Sequence, residues 1–195
     1  MLCDNVLEKN LVLKNFIGST DQKYFNAFLK IKYQVFIDEM GWTSLPHSKS
    51  DKSAFIDSFD KASFFTVITN QNGQTLGIGR ATLAKNGLPH KTLYQRHLNQ
   101  KTIKSLNNNI ATINSIAVIR GLRGKLYMSK LFKNEITIGQ YILFALTNWI
   151  RKFEGQLIFI STQISCSLNF FTRSGYYLID SPFYYSKSPK PLVNM

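Results

Sequence analysis

The sequence predicts a mixed α/β fold around a single sheet, and three observations carry that prediction. Apolar runs over residues 64–69 and 75–82 flank Asn72-Gly73, a dipeptide that favours the positive φ values of a tight hairpin. A further β-branched run, Ile113, Ile116, Val118 and Ile119, reads as a buried strand. Before and after these runs the apolar spacing takes the helical period, at Phe25, Phe28, Leu29, Tyr33 and Phe36 and again beyond Thr137-x-x-Gln140.

Taken in order, residues 10–17 read as a first strand. Asp21 caps a helix running to about residue 40, and Gly41 ends it. Residues 43–54, with Pro46, serines and lysines, read as a loop, and the hairpin follows. Residues 88–109 are polar and fit a loop or a short helix. The strand over 111–119 comes next. Thr137 and Gln140 form a capping box that opens a helix through about residue 153, with Gly155 as its stop. Residues 157–162 read as a buried strand, 168–173 as a short helix and 176–179 as a last strand. Pro182, Pro189 and Pro191 predict an irregular tail over 182–195. No repeat or low-complexity block interrupts the chain. Its 195 residues are expected to form one domain, long enough to bury a core.

Composition narrows the function classes. At 44 % hydrophobic and 18 % charged residues, disorder is excluded. The 15 Phe and nine Tyr suit an aromatic core or an apolar tunnel. Two cysteines, Cys3 and Cys166, are too few for a disulfide framework. His47, His90 and His97 lie in no ligand spacing, so no metal is expected. The acid at Asp4 and the lack of an apolar run after it give no signal-peptide pattern, and residues 141–150 are too short to span a bilayer, so a cytoplasmic location is expected. A net charge of +13 favours acidic partners: nucleic acid, an anionic membrane or an acidic protein. Lys9, Lys14, Lys23, Lys30, Lys32, Lys49, Lys52, Lys101 and Lys104 are scattered, without a stripe of interleaved aromatics, so nucleic acid is not expected. Peripheral contact with an anionic membrane stays open.

Residues 113–125 are the most telling stretch. The strand runs into Arg120-Gly121-Leu122-Arg123-Gly124-Lys125, where three cations sit beside two glycines. Glycine lets a ligand approach the backbone N–H groups, so this turn reads either as a phosphate seat or as a solvated basic turn.

Ala117-Val118, four residues, then Arg123-Gly124 resembles the acyl-donor-binding core of the GNAT acyltransferases, and Asn169-Phe170-Phe171-Thr172-Arg173-Ser174-Gly175-Tyr176 resembles their late helix and its closing Gly-aromatic pair. Phe36, Trp42, Asp57-x-x-Asp60 and Arg80 in Gly77-Ile78-Gly79-Arg80 stand in the order found in the branch of acyl-homoserine-lactone synthases and long-chain N-acyl amino acid synthases. The similarity spans roughly residues 30–177. It implies a single GNAT-like domain with a mostly antiparallel central sheet, splayed at the family's fourth strand, here residues 111–119. It implies an N-acyltransferase that moves a fatty acyl group from acyl carrier protein, or from acyl-CoA, to the amine of a small acceptor such as an amino acid. The donor is an acyl-phosphopantetheine co-substrate, with no permanently bound cofactor. Ile116, Ala117, Val118, Arg123, Gly124 and Lys125 are then the donor contacts, Asp57, Asp60 and Ser115 the candidate catalytic groups, and Phe36, Trp42, Arg80 and Thr112 the acceptor contacts.

The departures from that pattern are specific. The two positions where the phosphate loop usually carries further glycines are Leu126 and Met128, which crowd a full pyrophosphate and suit a carrier-bound phosphopantetheine better. An acidic carrier also fits the +13 charge. Phe171 occupies the slot of the family's tyrosine acid, which leaves Ser165, Ser167, Tyr176 or water for that task. The lactone synthases' fourth-strand Glu and Arg fall on Thr112 and Ser115, and their early helical Arg is Lys32. Asp57 and Asp60 also fit a solvated loop, and Arg80 a structural ion pair with Asp60. An acetyl-CoA acetyltransferase and a non-catalytic basic module binding nucleic acid or anionic lipid stand as the alternatives.

Overall fold

A computed structural model describes residues 6–8, 11–42, 56–84, 109–129, 133–152, 157–177 and 192–194. The strands are β1 (Val6–Glu8), β2 (Leu11–Ile17), β3 (Phe64–Asn70), β4 (Thr75–Leu83), β5 (Ile110–Val118), β6 (Leu126–Ser129), β7 (Asn134–Thr137), β8 (Leu157–Phe159), β9 (Ser161–Gln163) and β10 (Leu192–Asn194). The α-helices are α1 (Gln22–Tyr33), α2 (Ile138–Lys152) and α3 (Ile164–Arg173). Six strands form the main sheet in the order β1-β2-β3-β4-β5-β8. All its pairs are antiparallel except β5 with β8.

The central strands are apolar on both faces because both faces are covered. Along β3, Phe64 and Ile68 point into a core formed with Ile142, Leu146 and Trp149 of α2. Phe65 and Val67 point the other way, against Phe25, Phe28 and Leu29 of α1. Period-two alternation thus feeds two separate cores from one strand. Trp149 stacks on Phe64 at 4.6 Å between centroids, and Phe28 meets Phe65 edge-on at 4.7 Å. α2 approaches β4 closely where Gly77 and Gly79 leave room. A Cβ on Gly77 would lie 2.7 Å from Ile138 Cγ2, and one on Gly79 2.8 Å from Leu146 Cδ1.

Local signals place the helices. The Asp21 carboxylate accepts the Tyr24 N–H at the start of α1. Gln140 N–H donates to Thr137 Oγ1 at 3.2 Å and Thr137 N–H to Gln140 Oε1 at 2.8 Å, a reciprocal capping box. The predicted helix to residue 40 is α-helical only to Tyr33 and continues as a π-helical turn over Gln34–Glu39, closed by Met40 N–H to Val35 O. Gly41, at φ +71°, ends it as expected.

Other expectations change. The strand predicted over 157–162 divides at Ile160: β8 joins the main sheet and β9 pairs with β10. The short helix begins earlier, at Ile164. Tyr176 and Tyr177 are not in a strand, and residues 178–179 lie outside the described residues. Within the tail over 182–195, Leu192–Asn194 form β10, because the last proline is Pro191 and the strand follows it. The β6–β7 ribbon had no sequence prediction, and its Leu126 and Met128 are exposed on one side while Ser129 is buried. The loop over 43–54, residues 88–108, Phe153 and Gly155 lie outside the described residues.

Because a methyl group at Gly79 would press into α2 between Ile142 and Leu146, we expect Gly79→Ala to destabilise the fold by about 1–3 kcal/mol through overpacking. Urea denaturation at an unchanged slope would read this, and a variant as stable as wild type would show that α2 packs more loosely than described.

Candidate functional site

The site begins with an irregularity in β5. Arg80 faces Asn114 and Ile78 faces Ala117, so two steps on β4 span three on β5. This is a β-bulge, and Ser115 at φ +56° accommodates it. On its other edge β5 pairs with β8 only from Ile110 to Thr112. Beyond Thr112 no described strand pairs with that edge, so the sheet splays there, as expected of residues 111–119. Among the described residues no strand pairs with residues 113–117 on that edge. Ile116 and Val118 pack towards the α2 core and Ala117 towards the α1 core, which keeps the strand anchored from both sides.

Next to the bulge lies a buried electrostatic cluster. Arg80 Nη1 donates to Asp57 Oδ2 and Asp60 Oδ1, and Arg80 Nε to Asn114 Oδ1, each at 2.5 Å. The Arg80 and Asp60 side chains are each 1 % exposed, and Asp57 is 29 % exposed. The two acids, 20 or more residues from Arg80 in sequence, converge on it, which overturns the solvated-loop reading of Asp60. A 3-10 turn over Asp60–Ala62 holds them together. Asp57 N–H donates to Asp60 Oδ2 and Phe59 N–H to Asp57 Oδ1. Ser63 Oγ donates to Phe59 O and lies 2.7 Å from Thr82 Oγ1, so the Thr82 hydroxyl is the donor to Ser63 and ties the turn to β4.

Lys32, on the last turn of α1, places Nζ 3.5 Å from Asp57 Oδ2 and is 4 % exposed. Burial and the nearby Arg80 charge push its ammonium down to about 8, against the opposing pull of Asp60 and Asp57. Burial works to raise the Asp57 carboxyl, but Arg80 and Lys32 outweigh it and hold Asp57 below the usual carboxylate range. Asp57 is therefore ionised at neutral pH. Its contribution to stability is present above the ordinary carboxylate value of about 4 and is lost as pH falls through its lower folded value.

The expected roles redistribute over this geometry. Arg80 and Asp60, expected at the acceptor and in catalysis, are buried against each other, so Asp57 is the member of the cluster with solvent contact. Thr112 is fully buried and lies 3.3 Å from the Asn114 amide nitrogen, which donates to it. Ser115 donates to Asn114 Oδ1 at 3.4 Å. Phe36 meets Trp42 edge-on at 5.6 Å, and the buried Trp42 indole N–H has no hydrogen-bond partner among the described residues.

At the far end of β5, residues 120–122 form a 3-10 turn and Gly124, at φ +74°, completes the bend. Arg120, Lys125 and Gly124 are exposed. Arg123, expected as a donor contact, has protein partners: its Nε donates to Val118 O at 2.8 Å and its Nη2 pairs with Glu39 at the end of the π-helical turn. Leu126 and Met128, on the strand that follows, are more than half exposed.

Phe171 is buried in the α2 core, and Tyr176 stands edge-on to it at 5.9 Å with its hydroxyl 3.2 Å from Thr147 Oγ1. Burial raises the Tyr176 phenol above its ordinary range, with the Thr147 contact working the other way. The side chains of Ser165, Cys166 and Ser167 and the three histidines lie outside the described residues. Among the described residues no cluster of His, Cys, Asp or Glu could hold a metal, and no helix is long and apolar enough to cross a membrane. Sequence reasoning missed Asn114 and Glu39, since nothing in their spacing marks them. Lys32 carried a signal only as a departure from the family's arginine.

Solved structures share this architecture. TofI, in a ternary complex with an inhibitor and MTA, is 14 % identical over 93 % of this chain and 88 % of its own, with a TM-score of 0.67. The AHL synthase LasI is 17 % identical over 94 % and 87 %, at 0.59. An acyl-CoA N-acyltransferase from Pseudomonas aeruginosa is 13 % identical over 94 % and 97 %, also at 0.59. The fold is the GNAT fold. No family model and no curated protein sequence matches the chain.

Replacing Arg80 by Lys keeps a charge but removes the fork that serves three acceptors, so the buried Asp60 and the partly exposed Asp57 compete for fewer donors. We expect Arg80→Lys to cost about 3–5 kcal/mol in chemical denaturation. A loss below about 1 kcal/mol would show that the cluster is hydrated rather than buried.

Proposed function

We propose that the protein is an N-acyltransferase that moves an acyl group from an acyl-phosphopantetheine thioester to the amine of a small acceptor. The observation that carries this reading is the bulged, one-sided β5. Its free edge offers main-chain groups to a pantetheine arm, with a basic turn at one end and a carboxylate cluster beside the other. The neighbours described as AHL synthases and acyl-CoA N-acyltransferases support the same chemistry.

In this reading the donor lies along residues 115–118, with Ser115, Ile116, Ala117 and Val118 contributing mainly backbone. Arg120, Arg123, Gly124 and Lys125 meet its phosphate. Arg123 then exchanges or shares its partner Glu39 with that phosphate. The acceptor ammonium sits at Asp57, the ionised and partly exposed carboxylate, and Phe36 and Trp42, which pack edge-on against each other, are the candidate aromatic contacts for the substrate. Arg80, Asp60, Asn114 and Thr112 stand behind Asp57 and hold it in place. Positioning of amine and thioester supplies most of the rate enhancement available to such a site.

Acyl carrier protein is the donor we favour, for two reasons. Leu126 and Met128 put bulky, exposed side chains just past the basic turn, which suits a donor without a full pyrophosphate, and the chain's +13 charge complements an acidic carrier. The chemistry and the charge suit a fatty acyl chain and an amino-acid acceptor in the cytoplasm, and the whole chain acting as a single domain.

The experiment is transfer by purified protein from a long-chain acyl carrier protein or the matching acyl-CoA to a panel of amino acids, read by mass spectrometry. We expect N-acyl products with both donors, faster from the carrier, and a carrier rate that falls as salt rises from low to physiological strength. A faster reaction with acyl-CoA, unaffected by salt, reverses the donor assignment, and no product from either donor overturns the reading. Asp57→Asn, which keeps shape and removes the charge that holds the ammonium, is expected to raise the acceptor KM at least tenfold with the donor KM unchanged. An unaltered acceptor KM removes Asp57 from the site.

A further inference from the structure

The proposed site holds its acceptor amine as an ammonium, and an ammonium cannot attack a thioester until it loses a proton. Asp60 is buried and paired with Arg80, and Asp57, held below the usual carboxylate range by Arg80 and Lys32, is a good anchor but a weak base. Thr112 and Ser115, which flank Asn114 at the bulge, carry hydroxyls, and neither is a base at neutral pH. The remaining titratable group in the cluster is Lys32.

We propose that Lys32 is the proton acceptor of this site, taking the acceptor's proton across the Asp57 carboxylate. This rests on the N-acyltransferase reading above. The geometry is a short relay: Lys32 Nζ lies 3.5 Å from Asp57 Oδ2, the same oxygen that Arg80 Nη1 holds, and Asp57 is exposed where Lys32 is not. Among the described residues, Lys32 is faced by Asp57 and Asp60 from the segment before β3 and by Arg80 from β4, and its ammonium lies 5.7 Å from the Phe28 ring centroid within α1. With Lys32 protonated, the four charges of Lys32, Arg80, Asp57 and Asp60 cancel. With Lys32 neutral, the cluster carries one net negative charge and attracts an ammonium. Burial brings Lys32 to about 8, within reach of physiological pH, where an arginine would stay charged.

The step balances. The acceptor ammonium passes one proton through Asp57 to the neutral Lys32 amine. The freed amine attacks the thioester carbon, the C–N bond forms and the C–S bond breaks. The sulfur leaves with the second proton shed by the new amide nitrogen, as a thiol. Lys32 returns its proton to water by way of Asp57 before the next cycle.

Lys32→Arg tests this, because it keeps the positive partner of Asp57 while removing a base that can be neutral below pH 10. The readout is acyl transfer to the accepting amino acid between pH 6 and 9.5, taken as the ratio of wild type to variant. The acceptor's own titration is common to both and cancels. We expect that ratio to climb about tenfold per pH unit below about 8 and to level off above it, with the variant at least about a hundredfold slower at the plateau. A second measurement needs no activity: the Cε resonance of Lys32 in carbon-13 lysine-labelled protein, assigned by its absence from Lys32→Arg. We expect a midpoint near 8, moved lower in Asp57→Asn as an attracting carboxylate is lost. A flat ratio across the pH range, or a midpoint at the ordinary value of a lysine, overturns the proposal while leaving the N-acyltransferase reading intact. Absence of transfer from wild type with every donor and acceptor overturns both.

Discussion

Placing a guanidinium in a protein interior costs several kcal/mol unless its donors are filled, and Arg80 meets that condition with three acceptors drawn from two separate places in the chain. Asp57 and Asp60 arrive from the turn before β3, Asn114 from β5, and Arg80 itself from the centre of β4. The cluster therefore fixes the turn to the sheet and fixes β5 against β4 at the residue where the bulge begins. Asn114 lies between Thr112, whose hydroxyl it contacts, and Ser115, whose positive φ creates the bulge. The splay of β5 and the seat of Asp57 are thus set by the same buried ion pairs.

The sheet supplies the rigidity that such an arrangement needs. β3 is sandwiched between α1 and α2, and alternate side chains enter the two cores. β4 can lie this close to α2 because Gly77 and Gly79 present no side chain to it. Past Thr112, β5 has one hydrogen-bonded neighbour among the described residues, β4, while Ile116 and Ala117 anchor it from the two faces. An edge held from three sides and open on the fourth is a good main-chain receptor, since its backbone groups are pre-positioned and need no reorganisation on binding.

Most of the architecture was legible because it depends on local signals: Asn72-Gly73 for the hairpin, Thr137 and Gln140 for the capping box, Gly41 for the end of the first helical stretch. The motif order brought Asp57, Asp60 and Arg80 forward as a set, and they do converge. What could not be read were contacts of long sequence separation with no periodic signature. Glu39 meets Arg123 across 84 positions, and Asn114 serves Arg80 across 34. The π-helical turn at Gln34–Glu39 was hidden too, since the apolar spacing of the helix before it continues to Phe36 without interruption. The β6–β7 ribbon stayed unread because its exposed side carries Leu126 and Met128, which breaks the usual inside-apolar, outside-polar alternation.

The long contacts connect the two halves of the site. Lys32 stands on the last turn of α1, and the π-helical turn that follows it ends at Glu39, which holds Arg123 in the basic turn. One helical segment therefore touches the Asp57–Arg80 cluster through Lys32 and the basic turn through Glu39, seven residues apart in sequence. A phosphate drawn to Arg123 competes with Glu39 for the same guanidinium, and any shift of Glu39 bears on the segment that carries Lys32. Lys32 itself is held at a cost: its folded value near 8 lies below the ordinary 10.5, so the unfolded chain binds more protons between those values and this residue's contribution to stability rises with pH across that window. A lysine buried against the balance of stability at neutral pH is the expected signature of a group kept for its proton, whereas an arginine at the same place would hold Asp57 equally well and never give its proton up.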